Sequence, residues 1–430
     1  MAALLKKSRS DQGHGARFME LRPIFSTLRR HKLTATLLTL QVAFTCAIVC
    51  NVAFMVANRV QRISVPTGIA EKELSTIHST GVEKDENPLA RHAADLAALR
   101  AIPGVRSAVA VSYSLPLDRS DSSYGTCPTK QALDRAMQQR SAEGTACVQP
   151  SVYDGSPGLI DTLGLKLVAG RDFRADEYMD GNDHKPAVAI ITRALGQHMY
   201  PGEQALGKTM YVGDSVIRVV GVIDNLLRPR LRQPGVDYYS MIWPQRPGGS
   251  SVLYVLRGAT QDRQRVLKAA EAALVKVNPN RLIAPRTVQT YSQIRAEYFQ
   301  RDTTMIGLLA ASGLGLLFVS ALGIGGLANF WVQQRRRSIG IRRAIGATRG
   351  DILRYFQTEN FLIVSAGIVL GLLLAVLLNL VLMKHYELPR LPLYYLPLGA
   401  LALWTLGQLA VLVPARRAAA VPPVVATRSV

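Results

Sequence analysis

The sequence predicts a membrane protein: four transmembrane α-helices, with a large α+β domain of two subdomains inserted between helices 1 and 2. Three observations predict it. Uncharged, apolar stretches occupy residues 33–58, 303–334, 360–383 and 391–414, each longer than the roughly 20 residues that cross a bilayer as a helix. Between the first and second stretch lie about 244 residues of ordinary soluble composition, more than one typical domain. The basic residues gather at the edges of the apolar stretches, as they do where charge sets membrane topology.

In chain order, residues 1–32 carry Lys6, Lys7, Arg9, Arg17, Arg22, Arg29, Arg30 and Lys32. Within them, residues 18–30 read as a basic amphipathic helix, with Leu21, Ile24, Phe25 and Leu28 opposite the arginines, a pattern that lies along an anionic inner leaflet. The apolar run at 33–58 exceeds a signal-peptide core and has no small-x-small cleavage site after it, so an uncleaved anchor is expected. The net charge is +21. In a soluble protein this would suggest nucleic acid; here it suggests topology, and no nucleic-acid partner is expected. Arginines crowd residues 335–359 and the tail 415–430, whereas the short 384–390 connection has only Lys384 and Arg390. The positive-inside rule therefore places both termini and the 335–359 loop in the cytoplasm, and the 59–302 domain and the 384–390 loop outside.

The 59–302 domain alternates helix and strand patterns. Residues 89–100 read as a helix, 107–111, 187–192, 216–223 and 251–257 as strands, 262–277 as a helix and 282–288 as a further strand, the last three forming a βαβ-like unit. A stretch at about 114–249, richer in Gly, Pro, Ser and charge, reads as an inserted subdomain. The flanks 60–85 and 290–302 read as extensions of helices 1 and 2. Cys46 and Cys50 sit one turn apart inside helix 1 and read as packing residues. Cys127 and Cys147 lie in the outer domain, where an oxidising compartment permits a disulfide between them.

The run from Gly202 to Thr209 satisfies the P-loop pattern G-x-x-x-x-G-K-[ST]. A P-loop follows a buried strand and opens a helix; here a helix-like stretch precedes it and a strand pattern follows, so Gly202 and Gly207 read as turn residues. No catalytic constellation is present, and the seven histidines lack metal-ligand spacing. Asp180, Asp183 and His184 read as a solvated loop. No cofactor is expected in this chain. None of the apolar stretches contains a charge, which argues against an ion channel or secondary transporter. Helix 2 is glycine-rich, and helix 3 carries Gly367-x-x-x-Gly371, which suits close helix packing within the chain or in a dimer.

The 335–359 loop is the sharpest functional signal. Ile341, Ile345, Ile352 and Phe356 fall on one helical stripe, with arginines around it and Gly346 and Gly350 punctuating it. Such an element suits docking to a cytoplasmic partner. The candidate coupling residues are Ile339, Ile341, Arg342, Arg343, Ile345, Gly346, Arg349 and Ile352.

The run from Ile339 to Ala347, IGIRRAIGA, resembles the signature of MacB/FtsX-type ABC-transporter permeases. The closing PARRAA from Pro414 to Ala419, with Pro423, Val424, Ala426 and Arg428, is similar to that family's end. Residues 156–173, 200–208 and 218–222 match its outer-domain runs, and the resemblance covers about residues 20–428. It implies one helix, a large periplasmic domain and three more helices in the bacterial inner membrane. It also implies a noncatalytic subunit that uses the ATP hydrolysis of a separate cytoplasmic ABC ATPase. Further implied partners are a second permease copy, a periplasmic adaptor and an outer-membrane channel. The implied mechanism is mechanotransmission, with export of a drug, peptide or lipopeptide; the alternative is an FtsX-like transducer regulating a periplasmic hydrolase. Two departures, Ser338 where the family has an acidic residue and Thr427 for an aliphatic one, keep a heterodimer beside a homodimer.

Overall fold

A computed structural model describes residues 32–420, except 85, 113–114, 119, 182–184, 233–234 and 387–389. The amphipathic segment at 18–30, the Asp183–His184 pair and the motif beyond residue 420 lie outside the described residues. The chain divides into a helical unit, Met1–Ile63 with Asp302–Val430, and an α+β unit, Ser64–Arg301.

Helix α1 (Lys32–Ile63) precedes the α+β unit. There, strand β1 (Leu74–Gly81), helix α2 (Pro88–Arg100) and strand β2 (Val105–Val111) come first. Asn87 caps α2 by accepting from the Leu89 and Ala90 amides, and Pro88 fills a first-turn position whose N–H would have no intrahelical partner. Strand β1 corrects the expected helical flank at 60–85. Its sequence, LSTIHSTG, has only two large apolar residues, yet its first four residues are buried, because neighbouring strands pair with it on both sides.

An inserted set of elements follows: β3 (Thr126–Cys127), α3 (Lys130–Gln139), β4 (Ser151–Asp154), α4 (Leu159–Leu163), β5 (Leu167–Gly170) and β6 (Met179–Asp180). Then come β7 (Val188–Thr192), α5 (Arg193–Met199), β8 (Thr209–Val212), β9 (Ser215–Ile223), β10 (Ser240–Trp243) and β11 (Gln245–Arg246). They build a seven-stranded mixed sheet in the order β3-β8-β9-β7-β10-β4, with β5 added to β9, while β6 and β11 form a parallel pair. Cys127 and Cys147 are joined by a disulfide. The chain then returns to the first sheet with β12 (Ser251–Gly258), α6 (Arg263–Val277), β13 (Arg281–Leu282), β14 (Val288–Thr290) and α7 (Tyr291–Tyr298). The single strand expected at 282–288 is instead two short strands either side of a 3-10 turn at Pro285–Thr287, where Pro285 has no N–H to give a ladder.

The first sheet runs β13-β1-β12-β2, and every pairing in it is antiparallel. Strands β1 and β2 therefore point the same way with β12 between them, and β12 and β13 point the same way with β1 between them. Each pair is joined by one helix, so the βαβ-like reading resolves into two split βαβ units, a ferredoxin-like arrangement interrupted by the inserted subdomain. Alternation assigns the two faces. Ala108, Ala110, Val252, Tyr254 and Leu256 pack against α2 and α6, with Leu96, Leu99, Val266 and Leu274. Val109, Val111, Leu253 and Val255 pack against Ile190, Ile223 and Ile242 of the inserted sheet. Burial on both faces explains why β12 reads as a continuous apolar run.

In the helical unit, α1 is joined by α8 (Gln300–Gln334), α9 (Arg336–Ala344), α10 (Arg349–Tyr386) and α11 (Tyr395–Ala419). Four of these, α1, α8, α10 and α11, are long and apolar enough to cross a membrane. The Gly367-x-x-x-Gly371 pair packs within the chain: a Cβ on Gly367 would lie 2.9 Å from the Thr39 carbonyl oxygen, and one on Gly371 2.7 Å from that of Ala43. Glycine thus lets the backbones of α1 and α10 touch. Cys46 and Cys50 are buried free thiols, Cys46 at this contact beside Gly371 and Cys50 one turn on against Gly399 of α11. Helix α11 does not stop at Pro414, as expected, but continues to Ala419. Proline leaves the Ala410 carbonyl without its intrahelical donor, and Gly325 of α8 faces that oxygen, where a Cβ would stand 3.4 Å away.

Candidate functional site: the helical turn between α8 and α10

The 335–359 segment is not a loop. Helix α8 ends at Gln334, α9 follows almost at once, and α10 already begins at Arg349, eleven residues ahead of the apolar run expected at 360. Between α9 and α10 stands a turn that the sequence builds from both sides. Gly346 takes φ +108, while the Gly346 amide bonds to the Arg343 carbonyl and the Ala347 amide to that of Arg342. This pair of bonds closes a helix C-terminus in a Schellman motif. Two residues later, Thr348 Oγ1 accepts from the Asp351 amide at 3.2 Å, and the Asp351 carboxylate accepts from the Thr348 amide at 3.0 Å. That reciprocal pair is a capping box for α10.

The turn splits the expected stripe, because the two helices no longer share one periodicity. Ile352 and Phe356 are each 5 % exposed and pack into the bundle core with Ile339. Ile341 is 48 % exposed and Ile345 is 81 % exposed. Arg342 stands over the Tyr355 ring, with its guanidinium 5.0 Å from the centroid, and Arg349 is exposed. Of the eight residues singled out from the sequence, Ile339 and Ile352 are therefore internal. Gly346 shapes the turn. Ile341, Ile345, Arg342 and Arg349 present a surface, and Arg343 is half-buried beside them.

Sequence reasoning missed the pair that anchors this element. Arg335 Nη1 donates to Glu359 Oε2 at 2.8 Å and to Oε1 at 3.1 Å, with Glu359 only 2 % exposed. Arg335 also lies 5.9 Å from the Trp331 ring centroid. The signal available was a lone carboxylate abutting an apolar run, in a segment otherwise rich in arginine; a buried anion there requires a cation. Next to it, Asn360 donates to the Gly407 carbonyl at 3.0 Å, tying α10 to α11.

The P-loop-like run is a surface turn. Gly202 and Gly207 both have φ +79, the run links α5 to β8 rather than a strand to a helix, and Lys208 pairs with Glu203. Among the described residues, no group of three or more His, Cys, Asp or Glu could hold a metal ion.

Residues 33–276 match the MacB-like periplasmic core domain, and residues 310–423 match the FtsX-like permease C-terminal domain. The chain belongs to the MacB/FtsX permease family. This permease is 26 % identical over 226 residues to the uncharacterized ABC transporter permease YknZ of Bacillus subtilis, covering 50 % of this chain and 53 % of that protein. It is 30 % identical over 291 residues to the macrolide export ATP-binding/permease protein MacB 1 of Aeromonas hydrophila, covering 65 % of this chain and 44 % of that protein. The permease thus spans about half or less of the length of these relatives. A crystal structure of the periplasmic region of MacB from Actinobacillus actinomycetemcomitans aligns with a TM-score of 0.31 at 14 % identity, covering 55 % of this chain and 97 % of that one. A score that low adds nothing to the fold, which rests on the strand order above.

Proposed function

We propose that this permease is the noncatalytic membrane subunit of an ABC exporter in the bacterial inner membrane, with both termini cytoplasmic. In this reading a separate cytoplasmic ABC ATPase hydrolyses ATP and moves α9, and α1 and α8 relay the movement to the α+β unit. The substrate class is a drug, peptide or lipopeptide. A second permease copy completes the membrane part, and a periplasmic adaptor and an outer-membrane channel are further partners.

The observation that carries the reading is the split of the 335–359 element into an outward and an inward face. Ile341 and Ile345 are exposed among arginines, a suitable anchor and rim for a groove on a partner. Ile339, Ile352 and the Arg335–Glu359 pair fasten the same element to the bundle core. A push on the outer face would therefore reach the spanning helices through packed side chains rather than through a flexible linker.

The test is Ile345→Asp, compared with Ile345→Ala, in cells expressing the ATPase. An exposed residue tolerates the change without loss of fold, so the protein should insert at normal levels. Truncating a central anchor typically costs about 2 kcal/mol or more, so ATPase co-purification should fall at least tenfold. Undiminished co-purification and activity would move the coupling surface elsewhere.

A further inference from the structure

The α+β unit contains a cavity of about 590 Å³ between the first sheet and α7, with walls from Leu117, Leu253 and Ile294 and with Tyr298 at one side. That volume falls in the range of sites that enclose small organic ligands. Most polar groups in the wall are already engaged. Glu297 accepts from Gln289 at 2.9 Å, the Tyr298 hydroxyl accepts from the Leu231 amide at 3.0 Å, and His78 bonds to Ser251 at 2.9 Å. Two charged groups remain. Asp118 and Arg286 are both lining residues of the cavity, and among the described residues neither forms an ion pair.

The backbone that presents Asp118 is held in an unfavourable conformation. Leu117 has φ +64, a region that residues with a Cβ seldom adopt, although its side chain is only 1 % exposed. The buried Tyr291 hydroxyl donates to the Pro116 carbonyl at 2.6 Å, and the Asp118 amide closes a turn on the Leu115 carbonyl at 3.2 Å. Surroundings that enforce such a conformation often do so where a side chain must be aimed. Burial pushes the Asp118 carboxyl up to about 6, against a single backbone hydrogen bond from Leu115 that favours the anion. A carboxylate desolvated in this way gains from a cationic partner. Arg286 is exposed and offers a planar fork that suits a carboxylate.

We infer that this cavity binds a zwitterionic, peptide-like ligand with an apolar body, its ammonium on Asp118 and its carboxylate on Arg286. The site lies wholly in the α+β unit and the measurement reads binding rather than transport, so its failure leaves the proposed coupling role untouched.

The experiment is calorimetric titration of the full chain in detergent micelles at pH 7.5 with trileucine, N-acetyl-trileucine and trileucine amide. Saturable binding of trileucine is expected, and each blocked form should bind at least tenfold more weakly. Asp118→Asn should weaken trileucine tenfold or more and abolish the penalty for acetylation. Arg286→Gln should do the same for amidation. Should Asp118→Asn fail to fold, the acetylated and amidated ligands on the native chain, with the exposed Arg286→Gln variant, decide the matter. No saturable binding of trileucine at millimolar concentration would overturn the inference. So would equal binding of all three ligands, or an amide that binds as well as the free acid, which would make the site one for simple amines.

Discussion

Asp118 shows how one buried side chain makes a measurable statement about stability. Its pKa in the folded chain is raised by burial from the ordinary 3.8 to about 6, so the folded state holds this proton more tightly than the unfolded state does. The stabilisation is therefore fully present below about pH 3.8 and is lost as pH rises through about 6. At pH 8 the charged carboxylate costs on the order of 3 kcal/mol relative to a neutral isostere. Asp118→Asn is accordingly expected to raise the unfolding temperature of the α+β unit at pH 8 and to leave it little changed at pH 4. Equal shifts at the two pH values would show that the carboxyl is not desolvated. The Asp95–Arg281 pair is a contrasting case: Asp95 is 0 % exposed, but Arg281 meets it with two bonds of 2.8 and 2.9 Å, and Tyr254 adds a third at 2.5 Å. Burial of a charge is tolerated there because both carboxylate oxygens are hydrogen-bonded and the opposite charge is in direct contact.

Among the elements, the α1–α10 contact and the α9–α10 turn carry the strongest expectations. Gly371 has no room for a side chain, since a Cβ would already crowd the Ala43 carbonyl and Cys46. Gly371→Leu should therefore force α1 and α10 apart and destabilise the bundle by about 1–3 kcal/mol, read as a lower denaturation midpoint in detergent. Unchanged stability would mean that the two helices do not touch there. The turn was partly legible in the sequence: Gly346 and the Thr348–Asp351 spacing are local signals for a helix end and a helix start. The apolar stripe was misread because a period of 3.6 was carried through a glycine in the left-handed region, which resets the phase of the second helix. For that reason Ile352→Asp would damage the bundle core rather than test docking, whereas Ile345→Asp tests the surface. Strand β1 was illegible for a different reason. Its polar residues Ser75, Thr76 and Ser79 are buried through ladder pairing with β12, β13 and β14, and no local pattern announces partners more than 170 residues away.

For the molecule as a whole, the arginine asymmetry predicts that residue 350 is cytoplasmic and residue 130 is on the other side. Alkaline phosphatase fusions should be inactive at residue 350 and active at residue 130, and the reverse pattern would overturn the orientation on which the coupling proposal depends. The sequence by itself determined four apolar helices and their order around a large insertion, because bilayer length and charge exclusion leave a signal in every spanning segment. It also marked several strands and helices of the α+β unit, among them α2, β2, β7, β9, β12 and α6, where periodicity and turn chemistry are local. Only the tertiary structure decided which face of each element is covered. It set β12 between β1 and β2, sent Ile352 inward and Ile345 outward, and brought Arg335 to Glu359 and Asp118 to the cavity that also exposes Arg286. These are pairings between distant parts of the chain, selected by the free energy of packing and desolvation rather than by any preference that a residue and its neighbours express alone.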